Sequence, residues 1–583
     1  MVEHLGRQAL VGSATLKDAM FQDGVIELDM AVTGERSYPG VLFRQVSPGN
    51  TERFYLRPHR ATAARYPDVV QYLPMFNGVD SWQLYSGDGF TAFAPVPTGQ
   101  WFHVRLEVKG SQARIFVGDM KSPALEIPHL QREPASGGIG LMAPMDGSAF
   151  FSNLSYRKDD TLRFDPPPPV WGAPGIIRDW ELSGAVKAAL VEDDRPPQAQ
   201  RLPALAWRPA KVDSQGRLDV SRFLGRQPGG PDTVFVRTTL RADQDEIRRI
   251  RFGYSDTATV FLNGKPIYTG DNSYTLRDPS FLGIMGTFDT LFLPLRKGDN
   301  ELQVTLTESM GGWGLVAQDA KATFAAPGVS KLWKATGFRV PESAAYDSVR
   351  EVLYVSNFDP YRLGAGQTIS RVGLDGKILD RDWVKDLRNP AGLKVHGDTL
   401  WVVEPRALVE VDIAAGNIRA RHDIPGAQML NDVEVDASGV VYVSDSRKGC
   451  VLRMAGGKPE VFLDGPDFVR PNGLLLQGGR LWVATNGDGT LKAVDITTKA
   501  IQKVLPVGKG IGDGLAADEA GNLFMTHNEG RLFRIDPRGT ILELLDTTVP
   551  GQYLGDITYV PGRRMVVAPT YLDGGLVAYE IPR

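Results

Sequence analysis

Four oxygen-bearing side chains recur at similar places in the C-terminal half of the chain. Each stands in a short phrase, and the phrases are Pro341-Glu342-Ser343, Leu430-Asn431-Asp432, Pro471-Asn472-Gly473 and Gly512-Asp513-Gly514. Together they supply two carboxylates and two amide oxygens, and no sulfur. Donors of this kind suit a hard divalent cation, with Ca²⁺ preferred over Mg²⁺. We therefore predict that Glu342, Asn431, Asn472 and Asp513 are candidate metal ligands.

The elements that must position these residues are hairpins. Each phrase opens a short apolar run, a tight turn and a second apolar run, as in 433–436, 437–439 and 440–444. This pattern is typical of two paired strands. From Gly392 onward the phrases recur about every 41 residues, a period typical of propeller blades. We predict six blades, and if the first strand of each is innermost, the phrases converge on a central channel.

The second strand of each hairpin returns to the face on which the first strand began. The residues that close these strands should therefore lie near the phrases. With Asn431, the candidate substrate contacts are Asn357, Glu404 and Asn486. Glu404 and Asp445 have an alternative interpretation, in which their carboxylates are solvated or bonded to backbone.

Two further residues of this face carry more than one interpretation. His527 follows Asp513 in the same blade, and histidine titrates near neutral pH. We assign Asp513 and His527 as candidate catalytic residues, with His527 either a proton shuttle, a substrate contact or a polar residue of the channel rim. Asp556 is either a supporting carboxylate or a turn residue, and the turn is the favoured interpretation.

The composition limits the class of protein. A chain of 583 residues suggests about three domains. Its net charge is −4 and it has no basic block, so we expect no nucleic-acid partner. No apolar run reaches the length of about 18 residues that a membrane span needs. Cys450 is the only cysteine, so the chain forms no internal disulfide. Plentiful glycine and proline with little helical periodicity predict an all-β fold.

The start of the chain carries no basic segment followed by an apolar one, so Met1 does not open a signal peptide. The expected compartment is the cytoplasm, or the periplasm or cell exterior if a signal has been removed.

Residues 1–163 alternate apolar and polar side chains in short runs, which predicts a β-sandwich. The runs 101–106, 115–118 and 137–141 resemble those of concanavalin A-like (laminin G-like) jelly rolls. The resemblance implies sugar binding through surface aromatics such as Trp82 or Tyr85, although aromatics more often serve packing. A run of four prolines after Asp165 predicts a semi-rigid linker over 164–175.

Residues 176–325 alternate in the same way and form a second predicted sandwich. The Asn263-Gly264 pair between apolar runs is typical of a hairpin turn. Together with 297–302 and 311–314, this turn resembles the galactose-binding-like jelly rolls attached to many glycosidases. The resemblance implies either carbohydrate binding or a spacer role.

Residues 326–583 form the predicted propeller. The last repeat ends at Tyr579-Glu580 without an outer strand, so we predict that 331–338 supplies that strand and closes the ring. The four phrases, with 441–445, resemble the senescence marker protein/gluconolactonase/luciferin-regenerating enzyme family. That resemblance implies Glu342, Asn472 and Asp513 as metal ligands, Asn431 as a fourth ligand or substrate contact, and Asp513 as general base. The first phrase departs from the Glu-Gly-Pro of many members.

The resemblance implies a metal-dependent hydrolase of sugar-lactone type acting on a small lactone or carbohydrate. The cofactor would be Ca²⁺, with Mg²⁺, Mn²⁺ or Zn²⁺ as alternatives. A second hypothesis is a non-catalytic protein that binds a glycan or a partner and holds a structural metal. A third is a phosphotriesterase or arylesterase. No nucleophile elbow, zinc spacing or phosphate loop is present in the sequence.

Overall fold

The computed structural model describes residues 1–62, 66–165, 167, 172–191, 205–278, 280–358, 366–508 and 510–582. Five of the twelve residues of the predicted proline linker, 166 and 168–171, lie outside these residues. In the described part the chain is built of strands, which confirms the all-β prediction. No helix in it has the length and apolar character needed to cross a membrane. Its helices are 3₁₀ turns at Pro58–Arg60, Ala188–Leu190, Val220–Arg222, Pro466–Phe468 and Tyr571–Asp573.

The N-terminal strands form two sheets around one apolar core. The strands are β1 (Val2–His4), β2 (Arg7–Val11), β3 (Ala14–Thr15), β4 (Gly24–Val32), β5 (Gly40–Ser47), β6 (Asn50–Leu56), β7 (Val70–Phe76), β8 (Val79–Asp80), β9 (Thr91–Ala92), β10 (Trp101–Lys109), β11 (Gln112–Val117), β12 (Leu125–Ile127), β13 (Gly138–Met142) and β14 (Ala149–Arg157). One sheet has the order β1-β2-β14-β4-β10-β11-β12, and the other has β3-β13-β5-β6-β7-β8, with β9 on β7. Alternate residues Phe102, Val104 and Leu106 of β10 are buried in the shared core, as period-two patterning requires.

The next strands form a second pair of sheets with its own core. They are β15 (Asp179–Leu182), β16 (Arg208–Lys211), β17 (Leu218–Asp219), β18 (Thr233–Ala242), β19 (Glu246–Ser255), β20 (Thr257–Leu262), β21 (Lys265–Asp271), β22 (Asp289–Leu295), β23 (Gly298–Thr307) and β24 (Gly314–Asp319). Their orders are β16-β15-β18-β23-β20-β21 and β17-β24-β19-β22. Side chains of β18 and β23 meet those of β19 and β22 in one apolar cluster.

The two sandwiches pack into one compact unit, which covers 1–172 and 176–320. Tyr85, a candidate sugar-binding aromatic, is fully buried there, and its hydroxyl donates to Asp219 at 2.7 Å. Asn77 donates to the carbonyl of Ser221 at 2.8 Å. Tyr85 therefore serves packing between the sandwiches, in agreement with the structural alternative.

The second compact unit covers 173–175 and 321–583 and contains six sheets. Its strands are β25 (Phe324–Ala325), β26 (Ser330–Thr336), β27 (Pro341–Asp347), β28 (Val352–Asn357), β29 (Gln367–Gly373), β30 (Ile378–Leu387), β31 (Leu393–His396), β32 (Thr399–Glu404), β33 (Ala407–Asp412), β34 (Asn417–Asp423), β35 (Leu430–Val435), β36 (Val441–Asp445), β37 (Cys450–Ala455), β38 (Lys458–Leu463), β39 (Pro471–Gln477), β40 (Arg480–Thr485), β41 (Thr490–Asp495), β42 (Ile501–Pro506), β43 (Gly512–Ala517), β44 (Leu523–His527), β45 (Arg531–Ile535), β46 (Ile541–Asp546), β47 (Thr558–Val560), β48 (Met565–Thr570) and β49 (Gly575–Glu580).

Each of the first four blades takes four consecutive strands, from β27–β30 to β39–β42. The fifth has the order β25-β46-β45-β44-β43, so the short strand β25 lies in the propeller, although the predicted boundary at 325 places it in the second sandwich. The sixth has the order β26-β49-β48-β47. The strand before the first phrase thus pairs with the last strand of the chain, from Ser330↔Glu580 to Thr336↔Gly575. This pairing confirms the predicted closure of the ring.

Candidate metal and catalytic site

The four oxygen-bearing phrases share one local structure, a β-bulge at the start of an innermost strand. The strand register shifts between Pro341 and Ala344, Leu430 and Val433, Pro471 and Leu474, and Gly512 and Leu515. The pairings of β31 and β47, in the two blades without such a residue, are recorded with no shift. A bulge bends the strand and re-aims the side chains beside it. The same distortion therefore positions Glu342, Asn431, Asn472 and Asp513.

A bulge leaves backbone N–H groups without partners in the strand ladder, and buried N–H groups must be bonded elsewhere. In three of these blades a hydroxyl from the second strand accepts that bond. Ser356 accepts from the N–H of Ser343 at 2.9 Å, Ser444 from Asp432 at 3.0 Å, and Thr526 from Gly514 at 2.8 Å. The small hydroxyl residues of the second strands thus support the bulges.

Neighbouring innermost strands approach each other closely around the channel. A Cβ atom on Gly473 would lie 1.9 Å from the carbonyl oxygen of Asp513. A Cβ atom on Gly555 would lie 2.2 Å from the carbonyl oxygen of Glu342. The glycines in these phrases are therefore required by strand packing, and Asn472-Gly473 lies in β39 instead of forming a turn.

Asp513 is held by two amides. Asn472 Nδ2 donates to Oδ1 of Asp513 at 3.0 Å, and Asn528 Nδ2 donates to Oδ2 at 3.0 Å. Burial raises the pKa of Asp513 to about 6, although both hydrogen bonds lower it. The two bonds fix the orientation of the carboxylate and leave lone pairs free on each oxygen.

Two oxygens beside Asp513 are buried and have no hydrogen-bond partner within the described part of the chain. They are Oε2 of Glu342 and Oδ1 of Asn472. Burial raises the pKa of Glu342 well above its usual range, and the Asp513, Asp556 and Asp432 carboxylates add to this effect. Unpartnered buried oxygens and mutually repelling carboxylates are both stabilised by a cation. The residues present therefore fit a divalent metal.

This fit depends on amide oxygens as metal ligands, as well as on carboxylates. Among the described residues, no group of three or more His, Cys, Asp or Glu side chains is arranged to hold a metal ion. The candidate set contains only two carboxylates, Glu342 and Asp513. Two carboxylates balance the charge of a dication, and neutral oxygens would complete the shell of Ca²⁺.

His527 is buried beside the start of the same blade. It is 2% exposed, its Nε2 has no hydrogen-bond partner, and its ring lies edge-on to Phe533 with centroids 4.8 Å apart. Burial, and then the charge of Arg531, lower the pKa of His527 to about 4. The imidazole is therefore neutral at pH 7, which favours a hydrogen-bonding role over a proton shuttle.

The predicted substrate contacts divide into two groups. In the first group, the side-chain Oδ1 of Asn486 is buried and has no partner among the described residues. Asn431 uses its backbone instead, and its carbonyl accepts from the N–H of Gly392 at 2.9 Å. By contrast, the amide of Asn357 is bonded to Thr368 and Ser370, with Oδ1 accepting from the backbone of Arg339.

Two of the carboxylates on this face are already bonded. Glu404 binds Arg421 with both oxygens at 3.0 Å and also accepts from the N–H of Arg388. Asp445 accepts three backbone N–H groups. We correct the assignment of Asn357 and Glu404 as substrate contacts, because their polar atoms already stabilise the blades.

Asp556 is a buried carboxylate, and the favoured interpretation as a turn residue is wrong. It is 8% exposed, and its Oδ2 accepts from Ser343 Oγ at 2.6 Å. Its N–H donates to the carbonyl of Glu342 at 2.9 Å. Burial and the Asp432 carboxylate raise the pKa of Asp556 well above its usual range. Asp556 therefore adds negative charge next to the first phrase.

Sequence reasoning missed a chain of hydrogen bonds behind Asp513. Asn528, which donates to Asp513, accepts in turn from the hydroxyl of Tyr571. Burial, and then the Asp513 carboxylate, raise the pKa of Tyr571. Tyr571 stands in the 3₁₀ turn between β48 and β49 of the sixth blade, and its hydroxyl reaches Asn528 of the fifth blade. The repeat pattern gave no indication of this residue.

The fold and this geometry define a β-propeller with a candidate divalent-cation site in its channel. No protein-family model and no curated protein matches the chain. Among solved structures, the chain is similar to a gluconolactonase from Xanthomonas campestris, with 19% identity, a TM-score of 0.36, and coverage of 44% of this chain and 89% of that one. It is also similar to the calcium-binding protein regucalcin from Agrobacterium tumefaciens, with 16% identity, a TM-score of 0.34, and coverage of 42% and 90%. The chain is also similar to the WD40 propeller domain of Doa1, with 14% identity, a TM-score of 0.34, and coverage of 41% of this chain and 78% of that one. TM-scores this low carry no argument about activity.

Proposed function

We propose that the propeller is a divalent-metal-dependent hydrolase of sugar-lactone type. The observation that carries this proposal is the pair of buried, unpartnered oxygens on Glu342 and Asn472 next to the doubly held carboxylate of Asp513. Glu342, Asn472 and Asp513 would hold the metal, with Ca²⁺ as the expected ion. Asn431 would be a fourth ligand or a substrate contact.

When bound, the dication supplies positive charge that polarises the substrate carbonyl and stabilises the negative charge developing on its oxygen. Asp513 acts as the general base and takes a proton from the attacking water. The two amides that donate to Asp513 hold its carboxylate in a fixed orientation for this step. The water oxygen bonds to the carbonyl carbon, the ring carbon–oxygen bond breaks, and Asp513 returns the proton to the ring oxygen. The product is a hydroxy acid.

Asn486 and His527 contribute hydrogen bonds to the substrate in this proposal. Each has a buried polar atom that finds no partner among the described residues. A buried polar group of this kind costs about 1–3 kcal/mol when it stays unpaired, so a substrate hydroxyl that pairs with it is favoured. A polyhydroxylated lactone supplies such groups.

The test is turnover of an aldonolactone by the purified protein, followed by acid release, with Ca²⁺, Mg²⁺, Mn²⁺ or Zn²⁺ added. Asp513→Asn should lower kcat by about 100-fold or more, since general-base catalysis contributes roughly 10²–10⁴-fold. Asp467→Asn, at an exposed carboxylate of the same propeller, is the matched control and should retain full activity.

The same assay separates the alternatives. Hydrolysis of a phosphotriester in preference to lactones would assign the site to the esterase class. Metal binding by calorimetry without turnover of any ester would leave a binding protein with a structural ion. A rate no higher than that of the metal alone would end the hydrolase proposal.

A further inference from the structure

The first compact unit contains a cavity of about 450 Å³ that the propeller site does not involve. We call it the arginine pocket. It is lined by Arg53, Tyr55 and Arg57 from β6 and its end, by Arg36 and Arg60 from flanking loops, and by Tyr274 from the second sandwich. A strand directs alternate side chains to opposite faces. Phe54 and Leu56 of β6 are buried in the apolar core, and the residues that alternate with them line the pocket, with Tyr55 also packing against that core.

The pocket has more positive than negative charge. Its four guanidinium groups belong to Arg36, Arg53, Arg57 and Arg60. Among the described residues the carboxylates paired with them are Asp80, bound to Arg53, and Asp68, bound to Arg60 at 2.9 Å and 3.7 Å from Arg57. Arg36 donates to the hydroxyls of Tyr38 and Tyr274 at 3.0 Å each, which do not offset its charge. Four guanidinium groups and two carboxylates leave a net charge of about +2 on these described residues, which can bind an anion.

Two nitrogens at the pocket are buried and have no partner among the residues that the structure describes. Arg53 is 6% exposed, yet its Nε has no hydrogen-bond acceptor, and neither has Nδ1 of His59. Burial, followed by the charges of Arg36, Arg57 and Arg60, lowers the pKa of His59. A buried guanidinium with an unused donor is costly, and an anion in the pocket would relieve that cost.

Two of the arginines lie over aromatic rings. The guanidinium carbon of Arg53 lies 4.6 Å from the centroid of Tyr55, and that of Arg57 lies 4.8 Å from Tyr55 and 5.6 Å from Trp82. These contacts with the aromatic rings hold the guanidinium groups of Arg53 and Arg57 in place before any ligand binds. Tyr38, Trp82, Tyr274 and Met310 add apolar surface, which suits the carbon-bearing face of a sugar ring.

We propose that the arginine pocket binds an anionic sugar, a pyranose unit bearing a carboxylate or a sulfate. The guanidinium groups bind the anion, and the aromatic walls contact the ring. The volume is in the range of about 300–1,000 Å³ that small-molecule sites occupy. A nucleic acid would need basic residues spread along a groove, whereas these are collected in one cavity.

Calorimetry with the full chain tests the proposal. The probes are an oligogalacturonate, a sulfated galactan oligosaccharide from carrageenan that carries no uronate, a neutral maltooligosaccharide of equal length, and triglutamate. We expect binding of one or both anionic sugars, weakened by added salt, and at least tenfold weaker binding of the other two. The uronate and sulfate arms distinguish the two sources of the anion.

Arg36→Ala should weaken binding of the anionic sugar by about tenfold, because a charged hydrogen bond contributes about that factor. Arg36 is exposed and donates to the hydroxyls of Tyr38 and Tyr274. Removing its side chain should therefore leave the fold intact. Trp82→Ala should reduce the preference for sugar over triglutamate. Arg157→Ala is the matched control, since that side chain is 53% exposed and pairs with Glu27, and it should bind as the natural chain does.

Four results would overturn the proposal. Equal binding of the neutral and anionic sugars would remove the role of the arginines. Triglutamate binding as tightly as the sugars would remove the role of the aromatic walls. No binding of any probe, or loss of binding in Arg157→Ala equal to that in Arg36→Ala, would remove the site.

Discussion

Asp513 has two oxygens, and a different amide donates to each of them. The donor on one side, Asn472, keeps its own oxygen buried and unpartnered. The donor on the other side, Asn528, is bonded onward to Tyr571. One carboxylate is thus fixed both by a candidate metal ligand and by a chain of hydrogen bonds. Outer hydrogen-bond partners of this kind orient ligands and tune a site.

Tyr571→Phe tests that chain. The change removes the hydroxyl that donates to Asn528, so Asn528 should hold Asp513 less firmly. We expect kcat on the lactone to fall by roughly tenfold, in line with the effects of outer-shell changes, while KM changes little and the melting temperature stays the same. Tyr553→Phe is the control, since that ring lies 5.5 Å from the ring of Tyr571. An equal loss in both variants would contradict the positioning role of Tyr571.

At this scale the sequence identified the residue types but not their bonding. The phrases predicted Glu342, Asn472 and Asp513 because one period placed them on equivalent strands. The sequence could not show that Glu404 binds Arg421, because that contact joins β32 to β34 across the strand that lies between them in the sheet. Asn528 and Tyr571 were missed because they stand in different blades and lie outside the repeated phrases.

Among the elements, strand β26 joins the two ends of the propeller. Trp333 on this strand donates from Nε1 to the carbonyl of Leu374 at 2.9 Å and packs on an apolar cluster of the first and last blades. The closing strand therefore contacts the first blade as well as pairing with the last. Closure removes exposed strand edges.

Trp333→Ala should destabilise the propeller by about 1–3 kcal/mol, less than the cost of truncating a fully buried tryptophan. The physical reason is the loss of both the hydrogen bond and the apolar contact at the seam. Leu332→Ala on the same strand is the control, because Leu332 is 46% exposed, and its effect should stay within about 0.5 kcal/mol. Denaturant unfolding measures both. Equal stability of the two variants would contradict the role of Trp333.

Strand β23 of the second sandwich ends next to a buried carboxyl group. Glu308 is 3% exposed, accepts from the N–H of Gly312 at 3.3 Å through Oε1, and has no partner for Oε2. Burial, followed by the Asp256 carboxylate, raises the pKa of Glu308 to about 8. Between the usual pKa and this value, the native state binds more protons than the unfolded state.

The stability of the first compact unit should therefore fall as pH rises from about 4.5 to about 8. Glu308→Gln should remove part of that fall and be more stable than the natural chain at pH 8.5, by about 1–3 kcal/mol. Glu301→Gln is the control, since that side chain is 48% exposed. Urea unfolding at pH 5 and pH 8.5 measures the difference. A Glu308→Gln chain with the same pH dependence as the natural one would refute the assignment.

For the whole molecule, the candidate metal site uses residues between Glu342 and Tyr571, all within the 321–583 part of the second compact unit. A chain of residues 321–583 contains β25 and β26, so it can pair both short strands with their blades. We expect it to bind Ca²⁺ and hydrolyse the lactone with kcat within about twofold of the full chain. A chain beginning at 341 lacks both strands and is the control.

The outcomes for these chains are distinct. The longer chain should unfold in one cooperative transition, and the shorter should not, because an open ring exposes a strand edge. A folded chain of 321–583 without Ca²⁺ binding would show that the site needs residues from outside the propeller. Calorimetry and thermal unfolding provide both readouts.

The sequence by itself determined the all-β class, the repeating hairpins and the closing strand. These follow from alternation and period, which are local patterns that survive without knowledge of distant contacts. It also predicted which blades carry the candidate oxygen ligands.

The tertiary structure alone decided which of those oxygens are free. A carboxylate such as Glu404 is neutralised, and one such as Glu342 is left with an unpartnered oxygen, according to what the adjoining strands bring within hydrogen-bond distance. The sequence could not predict the arginine pocket, because it too depends on tertiary contacts. Its residues alternate along β6, but their excess charge emerges only when the loops and the second sandwich surround them.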